Sequence, residues 1–316
     1  MQYRFEFRPY RRQFKRTLQT SHGSWDIRLG IILCLTDESD RARWGEIAPL
    51  SWFGSETWEQ ALDFCSQLPV EITEKTIFSI PANLPACQFG FESARDALID
   101  AFHPTPDTLT YSGLLPAGEV ALHQWQTLWK QGYRTFKWKI GVAAIQDELK
   151  IFHALLQALP ASAQLRLDAN GGLTKQEANE WLRACDQVGV EFLEQPLPVG
   201  QFDAMLELSD RYSTQLALDE SVATLDQLQA SYQQGWRGIF VIKPAIAGSP
   251  SRLRQFCREH EIDAVFSSVF ETAIGRQPAL KLAVELSRHN RAAGFGINHW
   301  FNEDDETWLA HLWKDL

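Results

Sequence analysis

The hydrophobic positions of this chain keep two different rhythms. Up to about residue 105, apolar and polar side chains alternate over residues 3–7, residues 26–35 form a second strand-like run, and residues 44–49 form a third short run that ends at a proline. Alternation with period two puts successive side chains on opposite faces and predicts strands. Helical spacing follows at about residues 57–67, with Ser55 as the expected N-cap, and again at about residues 92–101. Strands first and helices afterwards is an α+β pattern.

From about residue 110 the pattern becomes strictly alternating in kind. Short β-rich runs occupy residues 111–115, 135–140, 164–168, 190–193, 215–218, 238–242 and 264–268, with a weak eighth near 293–297. Amphipathic stretches separate them, for example 145–159, 175–188, 226–234 and 253–260, and Gly132, Gly189 and Gly235 stand where helices should stop. Repeated βα units predict a parallel sheet, and this number of them predicts a closed barrel. No G-x-G-x-x-G run or P-loop is present, which disfavours an open nucleotide-binding sheet. The expected fold is α/β, a (β/α)7β TIM-type barrel over residues 108–297. An α+β capping domain over residues 1–107 precedes it, and the tail, residues 298–316, packs back on that cap.

Charged residues repeat with the barrel unit. Asp168, Glu194 and Asp219 end three consecutive runs, 26 and 25 residues apart. Lys139 precedes the first by 29 residues and Lys243 follows the last by 24. Residues at the C-terminal ends of barrel strands meet at one mouth. Alternation adds that Lys137 shares a face with Lys139, and Arg166 with Asp168.

Bulk composition narrows the function classes. The 316 residues are 45% hydrophobic, enough for a large core. A formal net charge of −10, with no basic block beyond scattered residues between 4 and 16, argues against a nucleic-acid partner. Five singly placed cysteines and no C-x-x-C predict reduced thiols and a cytoplasmic setting. The amino terminus does not read as a secretory signal, and the longest clean apolar stretch, residues 31–35, is far too short to span a bilayer. The expected partner is a small-molecule carboxylate. Oligomeric state is not legible.

Three carboxylates meeting in a partly dry mouth resist ionising together, and a hard divalent cation resolves the conflict. Oxygen donors without nearby histidine or thiol favour Mg²⁺ over zinc. One such acid alone would read as a helix cap; three in register with lysines read as a set. Lysines from the second and sixth strands should approach a bound carboxylate from opposite sides. That arrangement suits removal of the proton α to the carboxylate, with the metal stabilising the ene-diolate that forms.

The runs K-W-K at 137–139, L-R-L-D-A-N at 165–170, E-Q-P at 194–196, L-D-E-S at 218–221 and V-I-K-P at 241–244 resemble the enolase superfamily, in the branch with paired lysines. W-G-E-I-A-P-L at 44–50 is similar to its capping domain. Within the branch the chain resembles the o-succinylbenzoate synthase family. The supporting features are its short length, Arg166 two before Asp168, Lys243-Pro244 running into Gly248-Ser249, and the serine-rich stretch 266–275. The resemblance implies dehydration of 2-succinyl-6-hydroxy-2,4-cyclohexadiene-1-carboxylate to o-succinylbenzoate, a step toward menaquinone or phylloquinone. It implies Mg²⁺ on Asp168, Glu194 and Asp219, and Lys139 as the base that then protonates the departing hydroxyl. Lys243 would stabilise the intermediate from the other face. Lys137 would neutralise the substrate carboxylate and help lower the pKa of Lys139. Asn170 and Glu220 are expected behind the metal ligands, and Arg166, Ser267 and Ser268 at the substrate, with at most one serine pointing inward.

Sister activities use the same acids and lysines, so an N-succinylamino acid racemase or a muconate cycloisomerase remains an alternative. A non-catalytic metabolite-binding barrel and a Schiff-base aldolase are further readings, the latter leaving the acids without a purpose. Residues 294–299 lack the Asp-x-Asp expected of dipeptide epimerases, and no His–Asp dyad can be assigned at strands six and seven. His299 is expected to pack beside Trp300. Residues 20–25 and 52–54 are the candidate lid segments over the mouth.

Overall fold

The computed structural model describes residues 1–20, 23–99, 109–296, 300–301 and 304–314. Strands β1 (Gln2–Thr20), β2 (Gly23–Thr36), β3 (Ala42–Ile47) and β4 (Glu71–Thr73) form an antiparallel sheet in the order β3-β2-β1-β4. Helices α1 (Trp58–Gln67), α2 (Glu74–Phe78) and α3 (Pro85–Ile99) accompany it. The α+β cap is therefore present, but β1 is far longer than alternation over residues 3–7 indicates. The buried face changes along this strand. Tyr3 and Phe5 are buried on one side, where Phe5 meets Phe91 of α3. Tyr10, Arg12 and Phe14 are buried on the other, under Trp308 and Phe301 of the tail. A strand covered by different neighbours on its two faces loses its period-two signature at the change of phase.

Two helix starts also differ from expectation for a physical reason. Helix α1 is capped by Thr57, which makes a capping box with Gln60, whereas the Ser55 hydroxyl accepts from the Leu50 amide instead. Helix α3 begins at Pro85, well before residue 92, because the Glu56 carboxylate accepts from the Ala86 and Cys87 amides. A cap supplied from thirty residues away leaves no local sequence mark.

The barrel strands are β5 (Ser112–Leu115), β6 (Thr135–Lys139), β7 (Gln164–Asp168), β8 (Phe192–Glu194), β9 (Leu216–Leu218), β10 (Ile239–Ile242) and β11 (Asp263–Phe266). They pair in parallel, each with its sequence neighbours. Between and after them run α4 (Ala121–Lys130), α5 (Ile145–Ala158), α6 (Lys175–Cys185), α7 (Phe202–Arg211), α8 (Leu225–Gln233), α9 (Pro244–Ala247), α10 (Pro250–Glu259) and α11 (Ala273–Leu286). The eighth position is a seam of two residues. Ala293 bridges to Tyr111 and Gly294 to Ser267, so β5 and β11 are joined through them. Ile297, Asn298 and His299, and the expected boundary at residues 107 and 108, lie outside the described residues. Helix α12 (Asp305–Lys314) lies on the cap: Tyr10 meets Trp308, Trp44 meets Trp313, and Phe14 pairs with Phe301. Among the described residues no helix is long and apolar enough to cross a membrane, and all five cysteines are free and buried.

An ionic layer closes the bottom of the barrel. Glu191 receives both Arg166, at 2.7 and 3.1 Å, and Arg291, at 2.8 Å, while Arg291 also grips Asp263 and Gln215. Burial opposes the charge on Glu191, but the two guanidinium groups outweigh it and hold the carboxyl below its ordinary range. A depressed carboxyl contributes stability that is complete above its unfolded pKa and is lost as pH falls through the folded one. Glu191→Gln should therefore lower stability by about 3–5 kcal/mol at neutral pH, since it leaves buried Arg166 uncompensated. In urea titrations the gap to the parent protein should narrow on acidification below the usual glutamate range; a gap that widens would contradict this account.

Candidate active site

Strand alternation delivers the functional side chains. On β6, Phe136 and Trp138 are fully buried against the helical layer, with Trp138 beside Trp181, so Lys137 and Lys139 face inward. On β7, Leu165 and Leu167 face out and Arg166 and Asp168 face in. Register places Lys139 beside Asp168 and Asp168 beside Glu194. Phe192, Ala217, Ile239, Val241 and Val265 form their own apolar cluster. Glu194, Asp219, Lys243 and Ser267 follow Phe192, Ala217, Val241 and Val265 by two residues and so share their inward face. The barrel interior thus has an ionic floor, an apolar middle and a charged mouth.

That mouth opens into a cavity of about 600 Å³ lined by all eleven expected site residues. Cap residues Thr20, Leu50, Trp52 and Phe53 share the lining. The second lid candidate therefore lies over the site; of the first, Ser21 and His22 are outside the described residues.

The charges are paired in a particular way. Lys137 Nζ lies 2.7 Å from Asp168 and 2.8 Å from Glu194, bridging the two acids. Burial disfavours its charge, yet Asp168, Glu194 and Asp219 raise its pKa. Lys137, expected at the substrate carboxylate, here pairs with two of the acids expected to hold the metal. Lys243 Nζ bonds Asp219 and sits 3.9 Å from the centre of the Phe53 ring. Lys139 is half-buried in the cavity wall and makes no hydrogen bond or ion pair among the described residues. Lys139 ends β6 and Lys243 directly follows β10, with three strands between them.

The acids carry more negative charge than the lysines balance. Burial, followed by the neighbouring Asp168 charge, pushes Glu194 up to about 8. Burial also pushes Asp219 up, to about 6. Asp168 goes the other way, because Lys137 and the Asn170 amide outweigh its burial. Glu220 is raised by burial and then by Asp168; Asn170 Nδ2 donates to one of its oxygens at 3.2 Å, and the other oxygen is buried without a partner. An all-oxygen donor set, surplus negative charge and an orphaned carboxylate oxygen fit a hard divalent cation. Among the described residues no three acid, histidine or cysteine side chains already form an ion cage, because the ammonium groups of Lys137 and Lys243 lie among the acids.

Two expectations change. Arg166 reaches the cavity floor, but all three guanidinium nitrogens are used, on Glu191 and on the Ala292 carbonyl at 2.6 Å. Two residues below Asp168, it is a strut of the floor and not a free cation for substrate. Ser267 and Ser268 both line the cavity, because β11 ends at Phe266 and alternation lapses after it. The Ser268 hydroxyl donates to Glu271 and accepts from the Phe270 amide, so it is occupied in shaping the turn. Ser267 has only a 3.5 Å contact to the Gly294 carbonyl.

Sequence reasoning missed Gln195. It is fully buried with φ of 36°, its Oε1 accepts from the Asp219 and Ser221 amides, and its Nε2 donates to Ser221 and the Leu197 carbonyl. It locks the start of the turn that carries Asp219. An amide beside Glu194 in E-Q-P was the only available signal, and nothing local indicates its left-handed backbone.

Residues 11–98 match the family described as MenC, N-terminal domain, and residues 121–311 match Enolase C-terminal domain-like. An o-succinylbenzoate synthase from Thermosynechococcus vestitus is 41% identical, over 99% of this chain and 99% of that protein. The chain belongs to the o-succinylbenzoate synthase family. Among solved structures, the o-succinylbenzoate synthase from Thermosynechococcus elongatus BP-1, complexed with Mg in its active site, superposes with a TM-score of 0.91. It is 39% identical, over 99% of this chain and 100% of that one. An N-succinyl Arg/Lys racemase from Bacillus cereus, 16% identical over 96% of this chain and 89% of that one, has a TM-score of 0.81 and shares the fold. The α/β barrel with its antiparallel cap is thus the architecture of the o-succinylbenzoate synthase family.

Proposed function

We propose that this chain dehydrates 2-succinyl-6-hydroxy-2,4-cyclohexadiene-1-carboxylate to o-succinylbenzoate in a Mg²⁺-dependent reaction. The observation that carries this reading is Lys139, an amine with no hydrogen bond or ion pair among the described residues, in a cavity wall of a family member and across the barrel mouth from Lys243. Asp168, Glu194 and Asp219 would hold the cation, with Glu220 and Asn170 behind them. When bound, Mg²⁺ supplies a Lewis acid that draws charge from the substrate carboxylate.

Lys139 takes the proton α to the carboxylate onto Nζ and returns it to the departing hydroxyl. One C–H and one C–O bond break, water leaves, and the ring becomes aromatic. Lys243 already rests on the aromatic face of Phe53, and a substrate ring offers its ammonium a surface of the same kind. Ser267 is the better placed of the two serines to bind substrate, because the Ser268 hydroxyl is engaged. The cap, residues 1–107 with the tail 298–316, would cover the barrel, residues 108–297; the pairing of the tail with β1 supports this division. Buried free thiols suit a cytoplasmic enzyme.

Purified protein with Mg²⁺ and the cyclohexadiene should produce aromatic absorbance, and a chelator should bring the rate to background until Mg²⁺ is restored. Racemisation of N-succinyl amino acids faster than this dehydration would displace the reading in favour of the sister activity.

A further inference from the structure

The wall that carries Ser267, Ser268 and Phe270 is held from outside the barrel. Helix α11 starts immediately after it, and the first-turn amides of a helix have no partners within the helix. Here they are met largely by carboxylates from other parts of the chain. Glu46 of the cap strand β3, fully buried, accepts from the Thr272 amide at 2.9 Å, the Thr272 hydroxyl at 2.5 Å and the Gly275 amide at 2.9 Å. Tyr10 donates to its other oxygen at 2.5 Å. Asp305, which starts α12, accepts from the Ala273 amide at 2.6 Å. Only Ile274 finds its acceptor locally, on Thr272. Gly275 leaves the necessary room, since a Cβ there would lie 2.9 Å from a Glu46 carboxylate oxygen.

We infer that Glu46 is a positioning residue for the substrate: anchored in the cap, its carboxylate fixes the barrel wall from Ser267 to Phe270. The inference rests on the dehydratase reading. Within the wall, Glu271 accepts from the Val269 amide and the Ser268 hydroxyl, and Glu46 fixes the end that leads into α11; the turn between them is strained, for Phe270 adopts a left-handed backbone, φ 62°, which bulky residues avoid. Phe270 is wedged between Trp25 of the cap and Trp300 of the tail, so a shift at the start of α11 reaches the cavity directly. The metal ligands stand on β7, β8 and just after β9, away from this wall.

Glu92 provides a matched comparison. It too is a buried cap carboxylate that grips the start of a barrel helix, accepting from the Ser251 amide and hydroxyl of α10, but it lines no part of the cavity. Steady-state kinetics of Glu46→Gln should show KM for the cyclohexadiene raised about tenfold or more, as loss of charge-assisted bonds permits. The kcat and the Mg²⁺ activation constant should stay within about threefold. Gly275→Ala, which crowds the same carboxylate, should raise KM in the same direction. Glu92→Gln should lower the melting temperature yet leave KM at the parent value. If Glu46→Gln and Gly275→Ala lower the melting temperature but keep the parent KM, Glu46 is merely structural and the inference falls. If KM rises equally in Glu92→Gln, the effect belongs to cap docking in general and the inference also falls. Absence of dehydration in the parent protein would instead overturn the function proposed above.

Discussion

Lys139→Ala should lower turnover by about 10³-fold or more while the protein stays folded. General acid–base groups contribute roughly 10²–10⁴-fold, and here one amine is assigned both the proton abstraction and the return of the proton to the leaving hydroxyl. Among the described residues Lys139 makes no ion pair whose loss would weaken the barrel, so thermal unfolding of the variant should match the parent. Mg²⁺ binding, followed by calorimetry, should also be retained. A variant that keeps normal turnover would remove Lys139 from the mechanism.

Lys137→Met should act mainly on stability, and in a way that the metal reverses. Lys137 bridges two acids that are themselves almost entirely buried. Removing the cation while keeping the stem leaves Asp168 and Glu194 facing each other. Breaking a buried pair from one side typically costs about 3–5 kcal/mol. Burial already pushes Glu194 up to about 8, so this carboxyl holds a proton readily and repels Asp168 less than a full charge would, which places the loss near the lower end. Urea unfolding with a chelator present should show the loss, and saturating Mg²⁺ should recover most of it by supplying positive charge to the same acids. An equal loss with and without Mg²⁺ would mean that these carboxylates do not bind the cation.

The barrel was legible because its signal is local and repeated. Each strand is a short apolar run, and Asp168, Glu194, Asp219 and Lys243 occupy equivalent heights at nearly constant spacing. What stayed hidden depends on contacts distant in sequence. Glu56 starts α3 and Glu46 starts α11 from elsewhere in the chain, so neither start has a local mark. The bonds of Arg166 to Glu191 were not legible, because alternation gives the face of a residue but not its depth. The pairing of Lys137 with Asp168 and Glu194 was equally out of reach. Spacing shows that charges converge; it does not show which of them neutralise one another.

The two-residue seam has a consequence for how the molecule is completed. A methyl group at Gly294 would come within 2.5 Å of the Ser267 hydroxyl oxygen, and one at Gly296 within 2.5 Å of the Ser112 carbonyl. The hoop is thus fastened by a segment about 180 residues after the strand it closes on, at a point where only bare backbone fits. Just beyond it the tail clasps β1. A nascent chain halted before residue 294 would carry every acid and both lysines on separate staves, with no vessel yet to bring them together.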